Sequence, residues 1–380
     1  MELVPGAVPP SLTAAGVAFL RAEDRVLEAM LDGWRAQMLA RGLATSSIQN
    51  ACRCVERFQA HSNEYPWRWR PQHVDEYFAD RRCQADVSLA LSTLRAYAGA
   101  IRAFCGYLTD SRYGWARLCE QTFGDVPSQV VFEWNSPRHT TDDAVPAARR
   151  AFTQLELQTF FDAADDLVDR EFAAGSKRWL PALRDSTAFK VAYAYGLRRR
   201  ELAMLQGVDF GPNPHVADYG SFGAVQVRWA KGTAGSGPRR RTVLTVPKFE
   251  WVVDLLGFWL SPAGRARFAT AERSLDLWPS ERSARASLRT FEHSFQTFRA
   301  LSGLPVELSM HALRHSYVTH LIEDGYDPLF VQQQVGHSYA STTALYTSVS
   351  ADFKQKTVQR MIAARLGNAA RLGNAGNQDD

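Results

Sequence analysis

Apolar side chains recur every three or four residues through the first third of the chain, the spacing that lines one face of an α-helix. Leu27, Met30, Leu31, Trp34, Met38 and Leu39 form one such stripe. Thr45 or Ser46 can cap a second helix carrying Ile48, Cys52, Val55 and Phe58. After Pro66, a loop with Trp67 and Trp69 leads to a short helix near 74–78. A longer helix over about 87–108 carries Leu89, Leu91, Leu94, Tyr97, Ile101, Phe104 and Tyr107. The pattern predicts a four- or five-helix bundle over 23–120, behind an N-terminal extension at 1–22.

Periodicity is lost over 121–150, where Pro127, Pro137, Pro146 and a polar run from Arg138 to Asp143 predict an interdomain linker. It resumes at Phe152 with Leu155, Leu157, Phe160, Phe161 and Leu167. Residues 224–229 and 241–246 alternate apolar and polar positions around a glycine-rich connection, which predicts a β-hairpin. Helical spacing then fills most of 248–365, and A-R-L-G-N-A occurs twice in a terminal stretch expected to be a frayed, flexible tail at 366–380. The expected fold is mainly α, with a small β-sheet or hairpin in a C-terminal domain at 151–365.

Composition narrows the class. The chain has 380 residues, of which 46% are hydrophobic and 22% charged, a balance that suits two folded domains and excludes a disordered chain. No window approaches the ~18 uncharged apolar residues of a membrane span, and the first ten residues lack a secretory signal, so a cytoplasmic location is expected. Five cysteines (Cys52, Cys54, Cys83, Cys105 and Cys119) contain no C-x-x-C pair and are expected to be small buried residues in a reducing compartment. The formal net charge is only +4, but 1–150 balances to zero, while 186–300 holds 17 basic against 9 acidic residues. That uneven distribution is compatible with a phosphate-facing surface and equally with a solvated basic face.

Four short segments carry candidate chemistry. In Gly196-Leu197-Arg198-Arg199-Arg200-Glu201, Arg198 and Glu201 lie three apart on one helical face, so a glutamate can brace an arginine for bidentate phosphate contact. Lys231 is one of six lysines against 38 arginines and ends a predicted strand beside a glycine-rich turn, where Arg239, Arg240 and Arg241 follow as candidate phosphate contacts. His311, Arg314 and His315 share a face at i, i+3 and i+4. Two histidines so spaced can ligate zinc, but an arginine between them repels the ion and the glutamate of H-E-x-x-H is missing, so no metal is expected. Finally, Gly336-His337-Ser338 is followed by Thr342-Thr343-Ala344-Leu345-Tyr346. Taken singly, Tyr346 reads as a core residue.

G-L-R-x-x-E, a hairpin lysine before a basic strand, H-x-L-R-H, G-H-S and T-T-x-x-Y stand in this order over about 152–362. Together they resemble the tyrosine recombinase (phage integrase) family, and the bundle ahead resembles that family's core-binding domain in length and pattern. Three departures stand out: Tyr195 occupies a place usually held by threonine or serine, the connection after Lys231 is long, and Val335 replaces a common leucine.

The resemblance implies that Arg198, Lys231, His311, Arg314, His337 and Tyr346 form the active site, with Glu201 supporting the first arginine. It implies a site-specific recombinase or integrase of a mobile element, which cuts and rejoins double-stranded DNA through a 3′-phosphotyrosyl link. Four protomers would assemble on paired DNA sites, with 351–366 docking onto a neighbour and the two domains closing around the duplex, and no cofactor or metal would be needed. Two alternatives stand beside it: a type IB topoisomerase-like DNA relaxase, and a non-catalytic DNA-binding protein descended from a recombinase.

Overall fold

A computed structural model of the chain describes residues 5–9, 12, 21–83, 89–137, 150–230 and 240–336. The described residues fall into two compact units, one on each side of 138–149.

The first unit is helical: α1 (Ala22–Ala40), α2 (Thr45–Ser62), α3 (Pro71–Cys83), α4 (Leu91–Thr109) and α5 (Trp115–Phe123). Its core holds the faces expected from spacing, including Met30, Trp34, Ile48, Val55, Phe58, Ile101 and Phe104. Leu39 and Leu91 are exceptions and are exposed. Trp67 lies flat between Tyr65 and Phe123, with ring centroids 5.0 and 4.2 Å away. The segment expected as a linker from 121 is, in its first part, packed chain. Helix α5 runs through Phe123, and Val130 and Val131 are buried in the bundle core. Arg102 holds the following turn by donating to the carbonyls of Val131 and Phe132. The cause is the apolar pair Val130-Val131, which the flanking prolines and polar residues obscure. Part of the N-terminal extension is also packed, since the Val8 amide donates to the Tyr113 carbonyl at 3.0 Å. Cys52, Cys54, Cys105 and Cys119 are buried, and burial pushes the Cys54 thiol up to about 11; Cys83 is exposed, against expectation.

The second unit contains α6 (Gln154–Ala173), α7 (Trp179–Ala194), α8 (Arg199–Ala203), β1 (Phe210–Gly211), β2 (Ala224–Val227), β3 (Arg241–Leu244), α9 (Trp251–Leu260), α10 (Leu288–Leu301), α11 (Met310–Glu323) and α12 (Pro328–Val335). The predicted hairpin arms pair antiparallel, with Val227 opposite Arg241 and Ala224 opposite Leu244. A two-residue strand adds on the other side, giving the order β1-β2-β3. It is too short to leave an alternating pattern. Helix α7 is buried around most of its circumference and packs against α6, α9, α10 and α11, as a helix without a polar face must. Phe160, Phe189, Phe295 and Phe298 from three of these helices form the aromatic centre of the core.

Helix boundaries follow local chemistry. Thr153 caps α6, accepting from the Glu156 amide at 3.1 Å, while the Glu156 carboxylate accepts the Thr153 amide at 2.9 Å. The Phe152 amide donates to the Ser316 hydroxyl at 2.9 Å, and the Phe152 carbonyl accepts from His320 at the same distance, so the start of this unit is tied to α11. Asp327 caps α12, and Gly336 ends it in the left-handed region at φ +66. No helix among the described residues is long and apolar enough to cross a membrane.

Candidate active site

The site is organised around one carboxylate. Glu201 is 2% exposed, on the first turn of α8, where its carboxylate accepts the Arg198 backbone amide at 2.9 Å. The Arg198 guanidinium donates to the same carboxylate at 2.7 Å, the pairing expected from their three-residue spacing. Arg241, the first residue of β3, adds a bidentate pair at 2.9 and 2.7 Å. Arg314 of α11 approaches to 3.8 Å. Burial by itself would raise the Glu201 pKa; the hydrogen bonds and charge of Arg241, then the charge of Arg314, overturn that and hold it at about 2. Glu201 is therefore ionised at any working pH, with three arginines around one negative charge.

Arg314 is 1% exposed, yet its guanidinium is held at defined places. It donates to the Gly196 carbonyl at 2.6 Å and to the Val335 carbonyl. Both acceptors come from turns that need glycine. Gly196 has φ +56, and a Cβ there would lie 2.6 Å from the Tyr317 ring. Gly336 has φ +66, and a Cβ there would meet the Arg241 Cδ at 2.9 Å. The two G-containing motifs thus bring backbone carbonyls onto a buried arginine. Arg198 differs in keeping a side-chain exposure of 30%, so its head group faces both Glu201 and solvent.

His311 opens α11 one turn before Arg314 and is exposed, while His315 is buried, its ring perpendicular to that of His311 with centroids 4.7 Å apart. The structure thus brings together Arg198, Glu201 and Arg314 and carries His311 on the Arg314 helix. Lys231, Arg239, His337 and Tyr346 lie outside the described residues. Arg240 is exposed. Arg241 corrects an expectation. A phosphate contact requires an accessible guanidinium, but its side chain is 9% exposed and is engaged by Glu201 and, through Nε at 2.8 Å, by the Gln334 carbonyl.

Sequence reasoning also missed Gln334, whose side-chain oxygen accepts the Leu244 amide at 2.7 Å and so covers the edge of β3. Tyr195 is accounted for: its hydroxyl reaches Thr245 at 2.9 Å and the Phe222 carbonyl at 3.2 Å, a link a shorter threonine or serine side chain at that position could not span.

The phage integrase family model matches residues 153–352, more than half the chain. A tyrosine recombinase XerC of Mycobacterium bovis (strain BCG / Pasteur 1173P2) is 31% identical over 288 residues, covering 72% of this chain and 83% of the relative. The chain belongs to the phage integrase family. A second XerC, from Mycobacterium sp. (strain KMS), is 34% identical over 209 residues; that match spans 54% of this chain and 62% of the relative's length. Among solved structures, an XerH site-specific recombinase bound to its palindromic difH substrate shares the phage integrase fold, with a TM-score of 0.61 at 18% identity over 87% of this chain and 83% of the other.

Proposed function

We propose that the protein is a site-specific DNA recombinase or integrase of a mobile element, acting in the cytoplasm as a homo-tetramer on paired DNA sites. The observation that carries the reading is the Arg198–Glu201–Arg314 cluster. Two arginines positioned by a shared buried carboxylate supply more positive charge than that carboxylate neutralises, which suits an anion gaining charge during reaction.

In the proposed reaction the Tyr346 oxygen attacks the scissile phosphorus, and the bond to the 5′-oxygen breaks. A phenol with a reference pKa of about 10 must lose its proton as it attacks, and His311 is assigned as the general base. Lys231 gives a proton to the departing 5′-oxygen, His337 donates a hydrogen bond to the phosphate, and Arg198 and Arg314 hold its non-bridging oxygens. The 5′-hydroxyl of a partner strand then reverses the step, so the phosphodiester bond energy is kept in the protein–DNA link and no nucleotide cofactor is consumed. Exposed Arg240, with Arg239, contacts the DNA backbone.

A nicked suicide duplex tests this. The wild-type protein should become covalently trapped and Tyr346→Phe should not; trapping by the variant would remove Tyr346 as the nucleophile. Relaxation of supercoiled plasmid without exchange between two sites would favour the topoisomerase reading.

A further inference from the structure

We infer that Arg241 is a positioning residue that ties the base of the β-hairpin to both the first arginine motif and the end of α12; the inference rests on the recombinase reading above. All three of its nitrogens are engaged. Nη1 and Nη2 hold the two Glu201 oxygens at 2.9 and 2.7 Å, and Nε donates to the Gln334 carbonyl at 2.8 Å. Glu201 in turn holds Arg198. Arg241 is paired across the sheet with Val227, four residues before Lys231, and its Cδ fills the space left open at Gly336, one residue before His337.

Gln334 closes the clasp from the other side, its side chain taking the Leu244 amide while its own carbonyl takes Arg241. The chain leaving β2 toward Lys231 and the chain leaving α12 toward His337 therefore depart from a single fixed point. A planar guanidinium can hold a carboxylate with one edge and a carbonyl with Nε; a lysine ammonium reaching the same place cannot keep all three directions. Charge alone does not substitute for this geometry.

The test separates positioning from phosphate contact. Arg241→Gln and Arg241→Lys should bind the nicked duplex as the wild type does, with the same slope of log affinity against log salt. Both should form the covalent complex more slowly at saturating protein, by on the order of a hundredfold. Arg241→Lys should do no better than Arg241→Gln, and should speed amide exchange at Leu244 and over residues 331–336. A salt slope smaller by about 0.9 in Arg241→Gln would instead mark a phosphate contact. Wild-type cleavage by Arg241→Lys, or unchanged exchange at those amides, would overturn the inference. If the wild-type protein itself forms no covalent complex, the recombinase reading fails, and the exchange measurement still decides whether Arg241 holds the clasp.

Discussion

Two buried ionic clusters in the second unit both pair arginine with a carboxylate and behave in opposite ways. In one, Arg184 and Asp185 face each other at 2.8 and 3.0 Å, with Ser294 donating to the carboxylate and the Pro279 carbonyl accepting from the guanidinium. One buried cation meets one buried anion, with the exposed Glu281 carboxylate a further 3.9 Å from the guanidinium, and burial drives the Asp185 pKa up against the pull of Arg184. In the other, Glu201 meets Arg198, Arg241 and Arg314, and its pKa is held down. A balanced buried pair completes itself. The other gathers three guanidiniums around one carboxylate, with the Arg198 head group partly open to solvent. The first unit has no equivalent: its buried polar side chain, among the described residues, is Asn135 alone. What separates the two buried clusters is the ratio of arginines to carboxylates, not burial or the number of basic residues.

The contrast is easiest to break by substitution. Replacing Arg184 with Met and Asp185 with Leu together should leave stability within about 1 kcal/mol, since apolar residues of similar size often replace a buried ion pair without loss. Covalent trapping per folded protein should be unchanged. Glu201→Leu should cost about 3–5 kcal/mol by taking from buried Arg241 and Arg314 the carboxylate they share, and should abolish trapping. Urea unfolding of the three proteins checks this. A double variant as damaged as Glu201→Leu would mean that charge balance does not distinguish the clusters.

Much of this was legible in the chain, and the misses have physical reasons. Arg198 and Glu201 are readable because their three-residue spacing is also that of a helix N-cap and its N3 residue, which is how the extended Arg198 meets Glu201. Arg241 was hidden among three consecutive arginines, although its strand phase separates it. It alternates with buried Val243 and Thr245, so it shares their inward face, whereas Arg240 does not. Gln334 was hidden in the same way by Gln332 and Gln333, yet it lies three residues after buried Val331. The short strand β1 and the packing of Val130 and Val131 depend on partners distant in sequence, and no local pattern reports those.

A smaller effect sharpens the contrast with a third kind of buried ionisable group, one kept neutral. His320 is enclosed between α7 and the start of α6; its Nε2–H donates to the Phe152 carbonyl and its Nδ1 accepts from the Tyr193 hydroxyl, both at 2.9 Å. The carbonyl can only accept, which sets the tautomer. Burial lowers the pKa to about 4, with the nearby Lys248 charge acting in the same direction and the Phe152 bond and Asp324 opposing it. The unfolded state therefore binds the proton first, near pH 6.5. Stability should be fully present above that pH and fall by about 3 kcal/mol as pH drops to 4. Glu156 and Glu201, held at about 2, add their own loss at lower pH, as the medium passes below the ordinary carboxylate value. His320→Gln should flatten unfolding free energy between pH 6.5 and 4.5 even if it lowers stability at pH 7. An unchanged slope in that window would mean the imidazole is not the titrating group.

The smallest expected effect is that of Tyr195→Phe, one residue before the glycine whose carbonyl holds Arg314. Chain proximity suggests a role in the site, but the hydroxyl points the other way, to Thr245 and the Phe222 carbonyl behind the sheet. Its ring is fully buried against Phe210. Tyr195→Phe keeps the ring and loses one hydrogen-bonding group, while Thr245 retains its own bond to the Phe222 carbonyl. The cost should be about 1 kcal/mol of stability, with the rate of covalent complex formation at saturating protein unaltered. Tyr195→Thr should cost about 3–5 kcal/mol, because it also empties the volume of a buried ring. A cleavage defect in Tyr195→Phe without a stability defect would place the hydroxyl in the chemistry and remove the distinction between the groups that surround Glu201 and those that only pack nearby.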